Sequence, residues 1–127
     1  MSSHRPGRVA EILGVCVDTV RRWADEGRLG TVRTEGGQRL IDGASVARLL
    51  AERQAAVAPV ARSARNRLPG IVTRIERDGL TAVVEIQAGP HRIVSMITRE
   101  AADDLGLEVG DLATAVVKAT NVIVETE

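Results

Sequence analysis

Residues 18–27 read DTVRRWADEG, and the spacing of their apolar members decides how the first half of the chain folds. Val20, Trp23 and Ala24 recur at the period of one helical face, Asp18 is placed to cap the start of the helix and Gly27 to stop it. Upstream, GRVAEILG at 7–14 sets Val9, Ala10, Ile12 and Leu13 on one face and closes on Gly14, which predicts a shorter first helix and an immediate turn. Two short helices joined in this way make a helix-turn-helix unit. The second helix of such a unit enters the major groove by its N-terminal end, so Thr19, Arg21 and Arg22, which lie off the apolar stripe, are the candidate base-reading residues.

Downstream, LGTVRTEGGQRLI at 29–41 alternates on either side of Gly36-Gly37, the pattern of a β-hairpin, and offers Arg33 and Arg39 to phosphates. Asp42 is then placed to cap a third helix, GASVARLLAERQ, with Val46, Leu49 and Leu50 facing inward. Helix, helix, hairpin, helix is a winged helix-turn-helix. Trp23 sits on the inward stripe and reads as core, and Cys16, between Val15 and Val17, reads as a small buried apolar residue.

The segment AERQAAVAPVARSAR, 51–65, is Ala-rich, contains Pro59 and loses periodicity, which predicts a linker at 56–62 between a domain at 1–55 and another at 63–127. The net charge of zero hides a contrast between them. Residues 1–62 hold 10 Arg against 7 acids, while residues 63–127 hold 7 basic against 10 acidic residues, so the nucleic-acid-facing half is the first. A single cysteine excludes an intrachain disulfide and a multi-thiolate metal site, and two histidines do not replace one, so no protein-ligated metal ion is expected. With Trp23 as the only aromatic residue, single-strand recognition by base stacking is not expected either. No apolar run approaches the roughly 20 residues of a membrane span, and MSSHRPGR lacks the apolar stretch of a signal peptide; the expectation is a cytoplasmic protein with no membrane partner. Neither His4 nor His91 sits in a motif with a nucleophile and no paired carboxylates assemble, so no enzyme is expected.

Beyond the linker, LPGIVTRIE (68–76), TAVVEI (81–86), RIVSMIT (92–98), DLATAVVK (111–118) and NVIVE (121–125) read as strands, and TREAADDLG (98–106) as a short helix capped by Thr98 and stopped by Gly106. Five strands and one helix in so short a span describe a small OB-like β-barrel, giving an α+β chain. A barrel of this size buries little, and association between copies is the expected remedy.

Three motifs of this half carry hydrogen-bond donors: Ser63-Ala-Arg65-Asn66, Ser95 to Thr98, and Lys118-Ala119-Thr120. They contain hydroxyls, a guanidinium and the chain's only lysine, and no carboxylate. A tetrahedral dianion without protons offers only acceptors, so such a set suits it, with the N–H groups of the helix beginning at Thr98 adding donors. From spacing alone, the same residues also suit an ordinary polar barrel surface.

Across residues 6–53, RVAEILGVCVDTVRRWADEGRLGTVRTEGGQRLIDGASVARLL resembles the MerR-type and excisionase-type DNA-binding domains, with TVRRWADEGRL and TEGGQRLI its most specific parts. Across 63–125, SARNRLPGIVTRIE, SMITREAADDLGLEVGD and TAVVKATNVIVE resemble the Mop (molybdenum-pterin-binding) form of the TOBE domain. The second resemblance implies molybdate or tungstate as ligand, bound as an intact oxyanion between subunits by Ser63, Arg65, Thr98, Lys118, the Ala119 backbone and Thr120. It also implies a homo-oligomer, a hexamer or another multiple of two or three. Ala101 stands where some relatives carry a serine. Together the two halves imply an oxyanion-responsive transcriptional regulator with DNA as partner. Two other readings stay open: a molybdate or tungstate storage protein, and a constitutive DNA-binding oligomer.

Overall fold

Helix α1, Pro6–Leu13, opens on a proline, which needs no N–H in the first turn, and stops where Gly14 takes a left-handed φ of 70°. In this computed structural model, which describes residues 2–56 and 63–127, the chain divides into two compact units, Met1–Val60 and Ala61–Glu127. Apart from Ala56, the linker expected at 56–62 lies outside the described residues.

Helix α2, Val17–Asp25, starts earlier than its sequence suggests: Cys16 is the N-cap, with extended backbone and no side-chain cap bond. Asp18 is therefore not the cap. The Cys16 carbonyl already accepts from the N–H groups of Thr19 and Val20, so Asp18 falls inside the first turn, where its charge favours the positive end of the helix and faces Arg21 at 3.7 Å. Gly27, at φ 78°, ends the helix as expected, with the Arg28 N–H reaching back to the Trp23 carbonyl. Strands β2 (Thr31–Arg33) and β3 (Arg39–Asp42) form the wing, turning through Gly37, and Asp42 caps α3 (Gly43–Ala55) by accepting from the Ala44 N–H. A two-residue strand, β1 (Ser3–His4), which is too short to show alternation, adds to β3 and completes a sheet of order β1-β3-β2.

The core of this unit is Val9, Val20, Leu29 and Ile41, with Ala10, Leu13 and Val46 around them and Leu49, Leu50 and Trp23 packed against it. The Arg28 and Arg53 guanidiniums lie 4.7 and 5.7 Å from the Trp23 ring centre, so the indole's outer side is covered by cations rather than bases. Cys16 corrects its expected burial: it is exposed, because the turn ahead of α2 runs over the surface. Ile12 is likewise 54% exposed.

The second unit is one antiparallel OB-like sheet of order β6-β5-β4-β7 with a short helix: β4 (Asn66–Asp78), β5 (Thr81–Ala88), β6 (His91–Thr98), α4 (Arg99–Leu105) and β7 (Leu112–Val117). The long β4 serves two neighbours, pairing with β7 from Asn66 to Ile71 and with β5 from Ile71 to Asp78, and its register slips between Val72 and Arg74. Gly70 sits at this changeover. A Cβ there would lie 2.2 Å from the Gln87 carbonyl oxygen, so only glycine lets β5 approach so closely. Val72, Val84 and Ile86 form the core, with Ile75, Ile93, Ile97, Leu107, Ala113 and Ala115 against them.

The strand expected at 121–125 does not form. After β7 a 3-10 turn, Ala119–Asn121, leads into residues 122–127, which have no regular structure. The alternation of Val122, Ile123 and Val124 is that of a strand, but a strand exists only where a neighbour supplies its ladder bonds, and no edge of the same chain does so here. Among the described residues no helix is long and apolar enough to cross a membrane.

Candidate oxyanion site and DNA-reading surface

The start of β4 and the end of β7 are neighbours, because Asn66 is in register with Val117 and its side-chain amide donates to the Val117 carbonyl at 3.1 Å. That pairing brings the motif holding Ser63 and Arg65 beside the motif holding Lys118, Ala119 and Thr120, all five of them exposed. Arg67, opposite Val116, adds a further cation. Among the described residues Arg65, Arg67 and Lys118 form no ion pair. Lys118 caps the 3-10 turn through its backbone, and its ammonium takes no part in the cap. The first N–H groups of a helical turn have no partner within it, so Ala119 and Thr120 add backbone donors beside three cations and two hydroxyls. A corner of this composition attracts an oxyanion; lying open to water, it holds one tightly only when a second surface covers it.

Thr98 is elsewhere in the same chain. It ends β6 opposite Thr81, at the Asp78 end of β4, whereas Arg65 and Lys118 lie beyond the Asn66 end. At about 3.3 Å per residue the strand path between those ends is roughly 40 Å. The Thr98 hydroxyl oxygen caps α4 by accepting from the Ala101 N–H at 3.0 Å, and its hydrogen is left to donate outward. Gly79, Leu80, Arg99, Glu100, Asp103 and Asp104 share its cleft, and three of these are carboxylates. Within one copy, then, the structure gathers Ser63, Arg65, Lys118, Ala119 and Thr120, and leaves Thr98 apart in acidic surroundings.

On the first unit, the solvent stripe of α2 is Asp18, Arg21, Arg22 and Asp25, so the two candidate arginines lie between two acids. Arg21 faces Asp18, and the Arg22 side chain has no ion pair or hydrogen bond among the described residues. Arg39 is engaged: it donates to Asp25 Oδ1 at 2.7 Å and to the Arg21 carbonyl at 3.3 Å. Arg33 donates to the Gly37 carbonyl at 2.8 Å and so closes the wing turn. Thr19 is half-buried, its hydroxyl 3.1 Å from the Cys16 Sγ, and this hydrogen bond is the main cause that lowers the Cys16 thiol below its ordinary pKa. Sequence reasoning missed Asp25, the partner that holds Arg39; the signal was its position seven residues after Asp18 on the same stripe. It also missed Arg28 and Arg53, whose cation contacts to Trp23 depend on the fold.

Comparison with known proteins places both halves. The TOBE domain family matches residues 62–124, and a helix-turn-helix domain family matches residues 6–54. A probable molybdenum-pterin-binding protein of Haemophilus influenzae is 42% identical over 66 residues, 51% of this chain and 96% of that protein. The molybdenum import ATP-binding protein ModC of Brucella abortus is 48% identical over 65 residues, but the match spans only 18% of its length. A molybdate-binding protein from Sporomusa ovata superposes with a TM-score of 0.50 at 33% identity, covering 53% of this chain and all of that one. The cation corner and the four-stranded sheet both lie in the part these proteins share. Through that half the chain belongs to the TOBE-domain family of molybdenum-pterin-binding proteins, and it carries a helix-turn-helix domain ahead of it.

Proposed function

We propose that the chain is a transcriptional regulator that binds molybdate or tungstate through its TOBE unit, binds DNA through its winged helix-turn-helix, and oligomerises through the TOBE unit. The observation that carries this reading is the corner of Arg65, Arg67 and Lys118, built by two adjoining motifs that contain no carboxylate, in a unit whose relatives are named for molybdenum, attached to a helix-turn-helix. In this reading residues 1–55 and 63–127 are separate domains joined by 56–62. Ser63, Arg65, Lys118, Ala119 and Thr120 of one copy meet Thr98 of another, so the oxyanion sits at a boundary between copies and is held by hydrogen bonds, with no metal–protein bond. Thr19, Arg21 and Arg22 face the bases, and Arg33 and Arg39 lie in the wing near the backbone. The protein acts where its DNA is, in the cytoplasm, and does no chemistry on its ligand.

A single reading helix binds one half-site weakly, so the number of heads held together sets affinity. An anion that prefers one assembly state changes that number. Only its differential affinity counts, and a shift from about 1:99 to 99:1 needs roughly a 10⁴-fold preference.

Isothermal titration with molybdate, tungstate and sulfate, on the native chain and on Lys118→Ala, tests the sensing half. The expected result is micromolar or tighter binding of the first two, about 8 kcal/mol or more, weak binding of sulfate, and loss in the variant. Equal binding of all three removes the sensor assignment. Gel shifts with Arg21→Ala/Arg22→Ala test the reading half: weakened binding supports it, and unchanged binding points to storage.

A further inference from the structure

Two acids stand on the solvent stripe of α2, Asp18 and Asp25, and they differ in what they hold. Asp25, at the C-terminal end, is taken by the wing, since Arg39 donates to it at 2.7 Å. Asp18, in the first turn, caps nothing, because Cys16 is the N-cap. Its side chain is 91% exposed, and among the described residues its one ion pair is with Arg21 at 3.7 Å, longer than the roughly 2.7–2.9 Å of a charge-assisted hydrogen bond. Its carboxylate oxygens are therefore open, at the end of the helix that enters the major groove in this class of reader.

An acid in that place is costly. Phosphates repel it, and entry into the groove strips its water, so a base edge has to supply a donor in return. The donors of the major groove are the exocyclic amino groups, N4 of cytosine and N6 of adenine, whereas guanine shows two acceptors, N7 and O6. The adenine amino group lies between acceptors, its own N7 and the thymine O4, and both repel a carboxylate. The cytosine amino group has an acceptor on one side only, the guanine O6, and that is the atom an arginine takes. Asp18 and Arg21 present an acceptor and donors side by side, which is the complement of this edge. Their charges cancel, and Arg22, exposed and with a side chain that makes no ion pair among the described residues, keeps the face positive toward phosphates. Thr19 does not supply the acceptor instead: it is half-buried, with its hydroxyl engaged at 3.1 Å by the Cys16 Sγ.

We propose that Asp18 is a specificity-determining residue of the DNA-reading unit: its carboxylate accepts from cytosine N4 while Arg21 donates to O6 and N7 of the paired guanine, so that each reading helix fixes one C·G pair. The inference rests on the DNA-binding reading above and adds to it the class of base pair at one position. Asp18 rejects as well as selects. An A·T pair sets a second acceptor against the carboxylate, and the reversed G·C pair sets guanine N7 and O6 there, so both are discriminated against by repulsion.

The test is selection of bound duplexes from a random library by the full chain, with and without molybdate, repeated with Asp18→Asn. The native chain is expected to enrich a half-site with one fixed C·G pair. An asparagine offers both a donor and an acceptor and suits adenine N7 and N6, so Asp18→Asn is expected to move the preference at that one position from cytosine to adenine and leave the rest of the site as it was. Affinities of both chains for the selected duplex, and for one with that pair changed to A·T, then close a cycle. The expected coupling is roughly tenfold, and a loss of folded protein cancels from it because it lowers both affinities alike. An unchanged selected site in Asp18→Asn, or effects of protein and base changes that simply multiply, overturns the inference and leaves Asp18 as an acid that favours the helix terminus. Failure of the native chain to enrich any sequence overturns the DNA-binding reading itself, and this inference with it.

Discussion

The Arg39 guanidinium bridges the Asp25 carboxylate, at 2.7 Å, and the Arg21 carbonyl, at 3.3 Å, and so ties the wing to the second helix of the DNA-reading unit. A wing arginine that the sequence offers to phosphate is thereby used to fix the angle between the wing and α2. The Arg39 side chain is 26% exposed and Asp25 68%, so the pair lies in the range of about 0.2–1 kcal/mol measured for surface ion pairs.

Asp25→Asn is expected to lower the thermal midpoint of the first unit, followed by Trp23 fluorescence, by a few degrees. The same change frees Arg39 and removes a negative charge from the reading face. Affinity for DNA is therefore expected to rise at low salt, and the slope of log affinity against log salt to steepen by about one phosphate's worth, roughly 0.9. A slope that stays unchanged while the midpoint falls shows that Arg39 serves the wing alone.

Thr98 has two tasks that substitution separates. Its hydroxyl oxygen caps α4, and the proposed anion site uses its hydrogen. Thr98→Ala loses both, at a cost of about 1 kcal/mol in stability for the cap. Thr98→Asp keeps a good cap but presents a carboxylate to the oxyanion; the expectation is native-like thermal stability with molybdate binding lost in calorimetry. Retained binding in Thr98→Asp removes Thr98 from the site.

Gly70→Ala drives a Cβ into the Gln87 carbonyl, 2.2 Å away, where the obstacle is backbone and has no rotamer to change. The second unit is expected to lose on the order of 3 kcal/mol, the upper part of the usual overpacking range. The expected readout is an early loss of sheet signal by circular dichroism while the Trp23 transition, which belongs to the other unit, stays put.

Cys16 is held below the ordinary thiol pKa by the Thr19 hydroxyl, with Asp18 opposing, and it is exposed. The depressed pKa means that the thiolate is the favoured partner of the folded turn: the stabilising contribution is present above the unfolded thiol pKa and is lost as pH falls through the folded one. Iodoacetamide alkylation of Cys16 is expected to titrate at a lower pH than a free thiol, and Thr19→Val to move that midpoint up. Identical profiles for the two chains contradict the assignment.

Much of the fold was legible because the chain's punctuation acts locally. Gly14, Gly27, Gly37 and Gly106 all adopt positive φ where the sequence placed a stop or a turn, and Asp42 and Thr98 cap the helices expected of them. The Ser63/Arg65 and Lys118/Thr120 motifs were legible as chemistry, since donor-rich, acid-free stretches show in composition. That the two adjoin, and that Thr98 does not join them in one copy, is a matter of register between β4 and β7. Asp18 failed as a cap because a rival acceptor, the Cys16 carbonyl, lay two residues earlier, and no residue type announces that.

The sequence by itself determined the helices, the hairpin, the two apolar cores and the chemical character of each half, since these follow from periodicity, caps and charge within a few residues. Tertiary structure alone decided what Arg39 binds, why position 70 accepts only glycine, and that Val122–Val124, strand-like in pattern, finds no ladder in its own chain. Those outcomes depend on groups distant in sequence meeting at a particular distance, and residue patterns encode the capacity for such meetings without naming the partner.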